Sequence, residues 1–263
     1  MRWSPILITS VLTILTSGGS ARPTSNVTST LYKRSVVCGL NVRTAVAEDC
    51  LDNRPLLNFA QSGSLTRPTV SRVAVPNDDE IPPGAACDHV VELQVLQEAM
   101  LQSGMCQLVA VLARIGISRA TQLQAMANVI NGPGNLIFLD SRINRGKASY
   151  VRNAMAGAQI TNEVVANVAV NAYLRDQTVS SSSLVIAQHL DATITAILND
   201  AVARAQQIPP LHPQVRPPNQ QIADQQNFRN TVLHFASIPP AQRITVTRLW
   251  SRVLRATLVS VDE

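Results

Sequence analysis

The chain has 263 residues, of which 46% are hydrophobic, 3% aromatic and 15% charged, with a formal net charge of +5. That length allows one or two domains with a sizeable core, and so few aromatics suit helices packed through Ala, Val, Leu and Ile. Residues 1–34 hold four bases and no acid, leaving 18 bases against 17 acids in the remainder; a basic field over the whole molecule is excluded, and any attraction to phosphate must be local.

The amino terminus has the layout of a secretory signal over residues 1–21: Arg2, an apolar stretch from Pro5 to Leu15, and small residues ending at Ser20-Ala21. The stretch is too short to span a bilayer and no later one is long and apolar enough, so no stable membrane association is expected once the signal is removed. Residues 22–34 are polar and end in the dibasic pair Lys33-Arg34, which predicts a propeptide and a mature, secreted, extracellular chain starting near Ser35. The sequon Asn26-Val27-Thr28 lies inside the part expected to be lost.

Residues 35–84 form a segment of low periodicity, with turn signals at Asp52-Asn53-Arg54-Pro55, Arg67-Pro68 and Asn77-Asp78-Asp79 and a short strand expected at Val70–Val75. The four cysteines, Cys38, Cys50, Cys87 and Cys106, make an even count suited to an oxidising compartment. No C-x-x-C pair exists, which argues against structural zinc. Loop closure favours Cys38–Cys50 and Cys87–Cys106; the alternative, Cys38 or Cys50 reaching Cys87, would tether the amino-terminal segment to residues 87–89.

Residues 85–157 concentrate the useful side chains. Pro82-Pro83-Gly84 breaks the chain just before Cys87-Asp88-His89-Val90-Val91-Glu92-Leu93. Helical spacing follows from Glu92 to Ile115, interrupted at Gly104, and a second helix is expected from an N-cap at Ser118 to Ile130. The turn Asn131-Gly132-Pro133-Gly134 leads to a strand at Leu136–Leu139 and a helix over Ser141–Ala156, stopped at Gly157. Residues 158–207 read as helical, with Thr161–Leu174 and Ser183–Ala205 separated by Ser180-Ser181-Ser182. Five prolines in 208–218 make 208–220 an extended linker, and 221–263 is a helical segment with an amphipathic stretch at Val246–Leu258. Arg248, Arg252 and Arg255 on that stretch read as a solvated face.

Asp88-His89 followed by Gly134-Asn135 and then Asn144-Arg145-Gly146-Lys147 resembles the HNH, or ββα-metal, nuclease motif. The second block is similar to the HNH domain of RNA-guided CRISPR nucleases in the spacing from Asn135 to Lys147. The match covers about fifteen residues in two blocks, with some forty-five residues between His89 and Asn135 that a helical insertion would account for. The resemblance implies an α+β, mostly helical fold holding a ββα-metal unit with a helical insertion and a helical C-terminal region. It implies His89 as general base, Asn135 as the residue that fixes the loop, and Asp88 and Asn144 as oxygen ligands of one divalent ion. That ion would be Mg²⁺, with Mn²⁺ or Zn²⁺ as alternatives. Arg142, Arg145, Lys147 and Arg152 place four positive charges in a span without an acid, a local phosphate-binding patch at a helix start.

The function expected from these residues is a secreted endonuclease of low sequence specificity, acting on DNA rather than RNA. The rival is a secreted toxin or effector-type interaction protein that keeps the nuclease fold without turnover. Taken alone, Asp88-His89 also suits a carboxylate orienting a buried imidazole, and Arg142 to Arg152 suits a solvated helix face.

Overall fold

The computed structural model describes residues 36–42, 50–64, 67–76, 80–161, 164–212 and 214–259. The signal, the propeptide, the Asn26 sequon and the turn at Asn77-Asp78-Asp79 lie outside the described residues. A hairpin of β1 (Val36–Val37) and β2 (Leu40–Asn41) comes first. Its two turn residues, Cys38 at φ 48° and Gly39 at φ 81°, have the paired positive φ of a tight hairpin turn.

The main sheet holds β3 (Asn58–Gly63), β4 (Pro68–Val73), β5 (Ala85–His89) and β6 (Leu136–Asp140) in the order β4-β3-β6-β5. Leu136, Ile137, Phe138 and Leu139 are all buried, a continuous apolar run that belongs in the middle of a sheet covered on both faces. β3 pairs with β6 in parallel and β5 pairs with it antiparallel. The strand expected at Val70–Val75 is β4; it begins at Pro68, which an edge strand tolerates because its outer N–H needs no partner.

Three helices separate β5 from β6: α1 (Leu93–Gln102), α2 (Met105–Arg114) and α3 (Arg119–Ile130). The expected insertion is thus present, broken at Gly104, with Ser118 accepting from the Thr121 N–H as the cap of α3. α4 (Ser141–Met155) follows β6 directly, so β5, β6 and α4 stand in strand–strand–helix order. α5 (Val165–Arg175), α6 (Gln177–Gln206), α7 (Gln220–Ser237) and α8 (Val246–Val259) complete a mostly helical α+β fold. No single described helix is long and apolar enough to cross a membrane.

Three expectations are corrected. α5 starts at Val165 rather than Thr161, and α6 runs through Ser180-Ser181-Ser182 instead of starting after it. Asp176 caps α6 by accepting from the N–H groups of Thr178 and Val179, and the serine hydroxyls bond carbonyls within their own helix. The disulfides are Cys38–Cys106 and Cys50–Cys87, not the two short loops; Cys50–Cys87 is the alternative that tethers the amino-terminal segment to residues 87–89. Cys87 lies opposite Phe138 in the β5–β6 register and clusters with Cys50, Leu136 and Phe138 on the face away from the main core. Cys106 packs against the main core. The pleat therefore keeps Cys87 and Cys106 apart, and loop length changes closure entropy too slowly to overrule that. On α8, Arg248 and Arg255 are exposed as expected, but Arg252 donates to the Met155 carbonyl at the end of α4.

Candidate functional site

Asp88 and His89 are neighbours on β5, so their side chains leave opposite faces of the sheet. Asp88 lies opposite Ile137 and His89 opposite Leu136. Both are buried, Asp88 at 5% exposure and His89 at 2%. His89 Nε2 and Asn131 Oδ1 are 2.9 Å apart, while the same amide donates through Nδ2 to the Val42 carbonyl at 2.7 Å. With Nδ2 committed as donor, Oδ1 is the acceptor, and Nε2 carries the imidazole proton.

Asn135 is fully buried. Its Oδ1 accepts from the Val91 N–H at 2.8 Å, and its Nδ2 donates to the carbonyls of Ile130 (2.8 Å) and Val91 (3.2 Å). Its backbone carbonyl accepts from the Val90 N–H at 2.8 Å. One side chain thereby satisfies three buried backbone groups where β5 ends and the turn begins.

Asp88 meets Lys147. Lys147 is fully buried, and its Nζ donates to Asp88 Oδ2 and to the His89 carbonyl and lies 3.4 Å from Glu92 Oε1. The Tyr173 ring covers the same ammonium, 5.8 Å from Nζ. Burial pushes the Lys147 pKa down, but the Asp88 and Glu92 carboxylates more than offset it and hold the ammonium protonated above its ordinary range. Gly146 makes this closure possible: a Cβ there would lie 3.0 Å from the Ala166 Cβ and 3.4 Å from Val170 Cγ2. The bare backbone lets α5, which carries Tyr173, lie against α4.

The head of α4 is a second cluster. Asp140 caps the helix through the Arg142 N–H (2.9 Å) and accepts from the Gln61 N–H on β3 (3.1 Å). Arg142 grips the same carboxylate through Nε and Nη2 at 3.0 and 2.8 Å and donates to the Gln61 carbonyl. Arg142 hydrogen bonds bring the Asp140 pKa down to about 2. Arg145 is exposed, with Nε donating to the Ser141 carbonyl at 3.1 Å, and Arg152 is exposed.

The expected constellation is therefore brought together only in part. Lys147 meets Asp88 and the His89 carbonyl, while the His89 imidazole points to the other face with Asn131 and Asn135 holds the turn; Asn144 is half-buried one turn before Lys147, and no hydrogen bond joins it to Asp88 among the described residues. Comparison with family models, curated proteins and solved structures finds no match. The chemistry of this chain thus rests on its own side chains, and they do not fit the divalent ion that the nuclease resemblance implies. The Asp88 oxygen that would hold an ion already holds an ammonium. Of the four expected phosphate contacts, Lys147 is sealed inside the protein, while Arg142 is exposed and bonded to Asp140 and Gln61. Arg142, Arg145 and Arg152 all keep exposed positions on α4, Arg142 with its guanidinium paired to Asp140.

Glu92, Asn131, Asp140 and Tyr173 were not legible as members of these clusters. Asn131 carries a turn signal that hides its bond to His89, and Tyr173 sits in an ordinary apolar helix period. Beyond Asn131 lies a cleft of about 400 Å³, bordered by Asn41, Asn53, Gln124, Asn128 and Pro133. Among the described residues no charged side chain lines it.

Proposed function

We propose that this chain is a disulfide-bridged interaction protein of the oxidising, extracellular type, built around a nuclease-like strand–strand–helix unit that does not hydrolyse phosphodiesters through a metal. The observation that carries this reading is the sealed state of the unit. His89, which would activate water, and Asp88, the one charged ligand of the expected ion, are each at most 5% exposed and are bonded inward, His89 to Asn131 and Asp88 to Lys147. The attacking water must come within about 3 Å of the base and the scissile phosphate must reach the ion, and buried groups spent on the framework do not offer that approach. Ligand contact is placed at the cleft beyond Asn131. Its neutral carboxamides pair donors with acceptors and suit the peptide groups of a polypeptide partner better than a row of phosphates.

A second reading, a metal-dependent endonuclease acting on DNA, is favoured by one observation. β5, β6 and α4 follow one another as strand, strand and helix with Asp88-His89 at the end of β5, the order the resemblance implies. Incubating the full chain with plasmid and with RNA, in Mg²⁺ or Mn²⁺ and with or without EDTA, separates the two. No cleavage above buffer is expected. EDTA-sensitive cleavage that falls by about 10² or more in His89→Ala overturns the interaction reading and installs the nuclease.

A further inference from the structure

We infer that Lys147 is a built-in replacement for a bound cation, and that Asp88, Glu92 and the His89 carbonyl form a hard-cation site that opens when the ammonium is removed. The inference deepens the non-hydrolytic reading above and rests on it. The three groups nearest Nζ are all oxygens: Asp88 Oδ2, the His89 carbonyl and Glu92 Oε1. An ammonium has three N–H donors, and here each has an oxygen to face. Carboxylate and carbonyl oxygens are also the donors that Mg²⁺, Mn²⁺ and Ca²⁺ take.

The donors and the plug come from different places in the chain. Asp88 and His89 end β5 and Glu92 stands at the head of α1, whereas Lys147 reaches in from α4. Removing the lysine side chain therefore takes away none of the oxygens. It also leaves two carboxylates, 7% and 15% exposed at their side chains, that cannot remain charged in the interior without a counter-charge. A fourth oxygen is in electrostatic reach. The Tyr173 hydroxyl is buried without a hydrogen-bond partner, and besides burial its pKa feels Lys147, Asp88 and Glu92. An orphaned hydroxyl beside a ring of oxygens is a natural partner for a water on an incoming ion.

The test uses the full chain as wild type, Lys147→Ala, the milder Lys147→Gln, and the double variant Asp88→Asn with Lys147→Ala. MgCl₂, MnCl₂ and CaCl₂ are titrated into each, with the unfolding midpoint and calorimetric heat as readouts. Wild type is expected to respond to none of the three at millimolar concentration. Lys147→Ala should unfold at lower temperature than wild type and recover several degrees in saturable fashion with at least one ion. If it is unfolded at the start, it should fold on ion addition. The double variant should lose that response. The inference is overturned if wild type binds as tightly as the lysine variants, or if neither single variant, folded or not, is stabilised by any of the ions. Ion-silent variants with no nuclease activity would sink this inference and leave the interaction reading in place. Cleavage by a wild type that binds no ion at Asp88 would do the reverse.

Discussion

At the scale of single residues, the side chains that matter most here serve backbone groups. Asn135 satisfies the Val91 N–H and the carbonyls of Val91 and Ile130 from a fully buried position. Asn135→Ala strands at least two of these, at about 1–3 kcal/mol for each orphaned buried group, so a loss of roughly 2–5 kcal/mol is expected in urea unfolding. A loss under about 1 kcal/mol would show that the turn at 131–134 is held by something else. Asp140 makes a pH-dependent prediction. Its carboxyl titrates near 2 in the folded protein against an ordinary 3.8. The folded pKa is the lower one, so its charge stabilises the fold above pH 4 and that contribution disappears as pH falls from 4 through 2. Asp140→Asn keeps a good helix cap, removes the charge and turns one of the two acceptor oxygens into a donor. Its stability deficit should be constant from pH 5 to 7 and shrink as the pH falls from 4 to 2, leaving only the part due to the lost acceptor. A deficit that does not change with pH would assign the loss to hydrogen-bond geometry instead.

At the scale of elements, the placement of β5 and of the helices around it depends on two cross-links and two close approaches. Cys50–Cys87 fixes β5 from the sheet face away from the core, and Cys38–Cys106 ties the β1–β2 turn to α2. Peptide mapping of the non-reduced protein should return these two pairs and no others. Recovery of Cys87–Cys106 would contradict the face assignment of Cys87. Gly104 breaks α1 from α2 at φ 76°, where a Cβ would lie 2.3 Å from Phe235 Cε1 on α7. Gly104→Ala combines a strained φ with overpacking, and a loss of about 2–4 kcal/mol is expected. Unchanged stability would mean that α7 is free to shift.

Much of this level was legible. The continuous apolar run of Leu136–Leu139 marked β6 as central, Ser118 marked a cap, and Gly104 marked a break, because each signal is local. The disulfide pairing was not legible, since it depends on which sheet face Cys87 occupies, and that follows only once β5 and β6 are in register. The true start of α6 was hidden because a serine run reads as a loop until its hydroxyls find carbonyls within the helix. The cap of α8 was hidden too. It comes from Asp191 on α6, which accepts from Val246 and Thr247 at 2.7 and 3.0 Å, across more than fifty residues of sequence.

At the scale of the whole molecule, the two sequence blocks end on adjacent elements, β5 and α4, and what joins them is the Lys147–Asp88 pair. Spacing alone placed Asn144 and Lys147 on one face of α4, one turn apart. Nothing in the spacing says which of the two reaches Asp88. The answer depends on α5, whose approach at Gly146 brings Tyr173 over the cluster and leaves Lys147 no route outward in this structure. The most direct measurement is a crystal structure of the wild-type chain grown or soaked in MnCl₂, with an anomalous difference map at the manganese edge. The expected result is Lys147 Nζ between Asp88, Glu92 and the His89 carbonyl, with no manganese peak there. A manganese peak coordinated by Asp88 with Lys147 swung away would contradict the central claim and return the site to a metal-dependent nuclease.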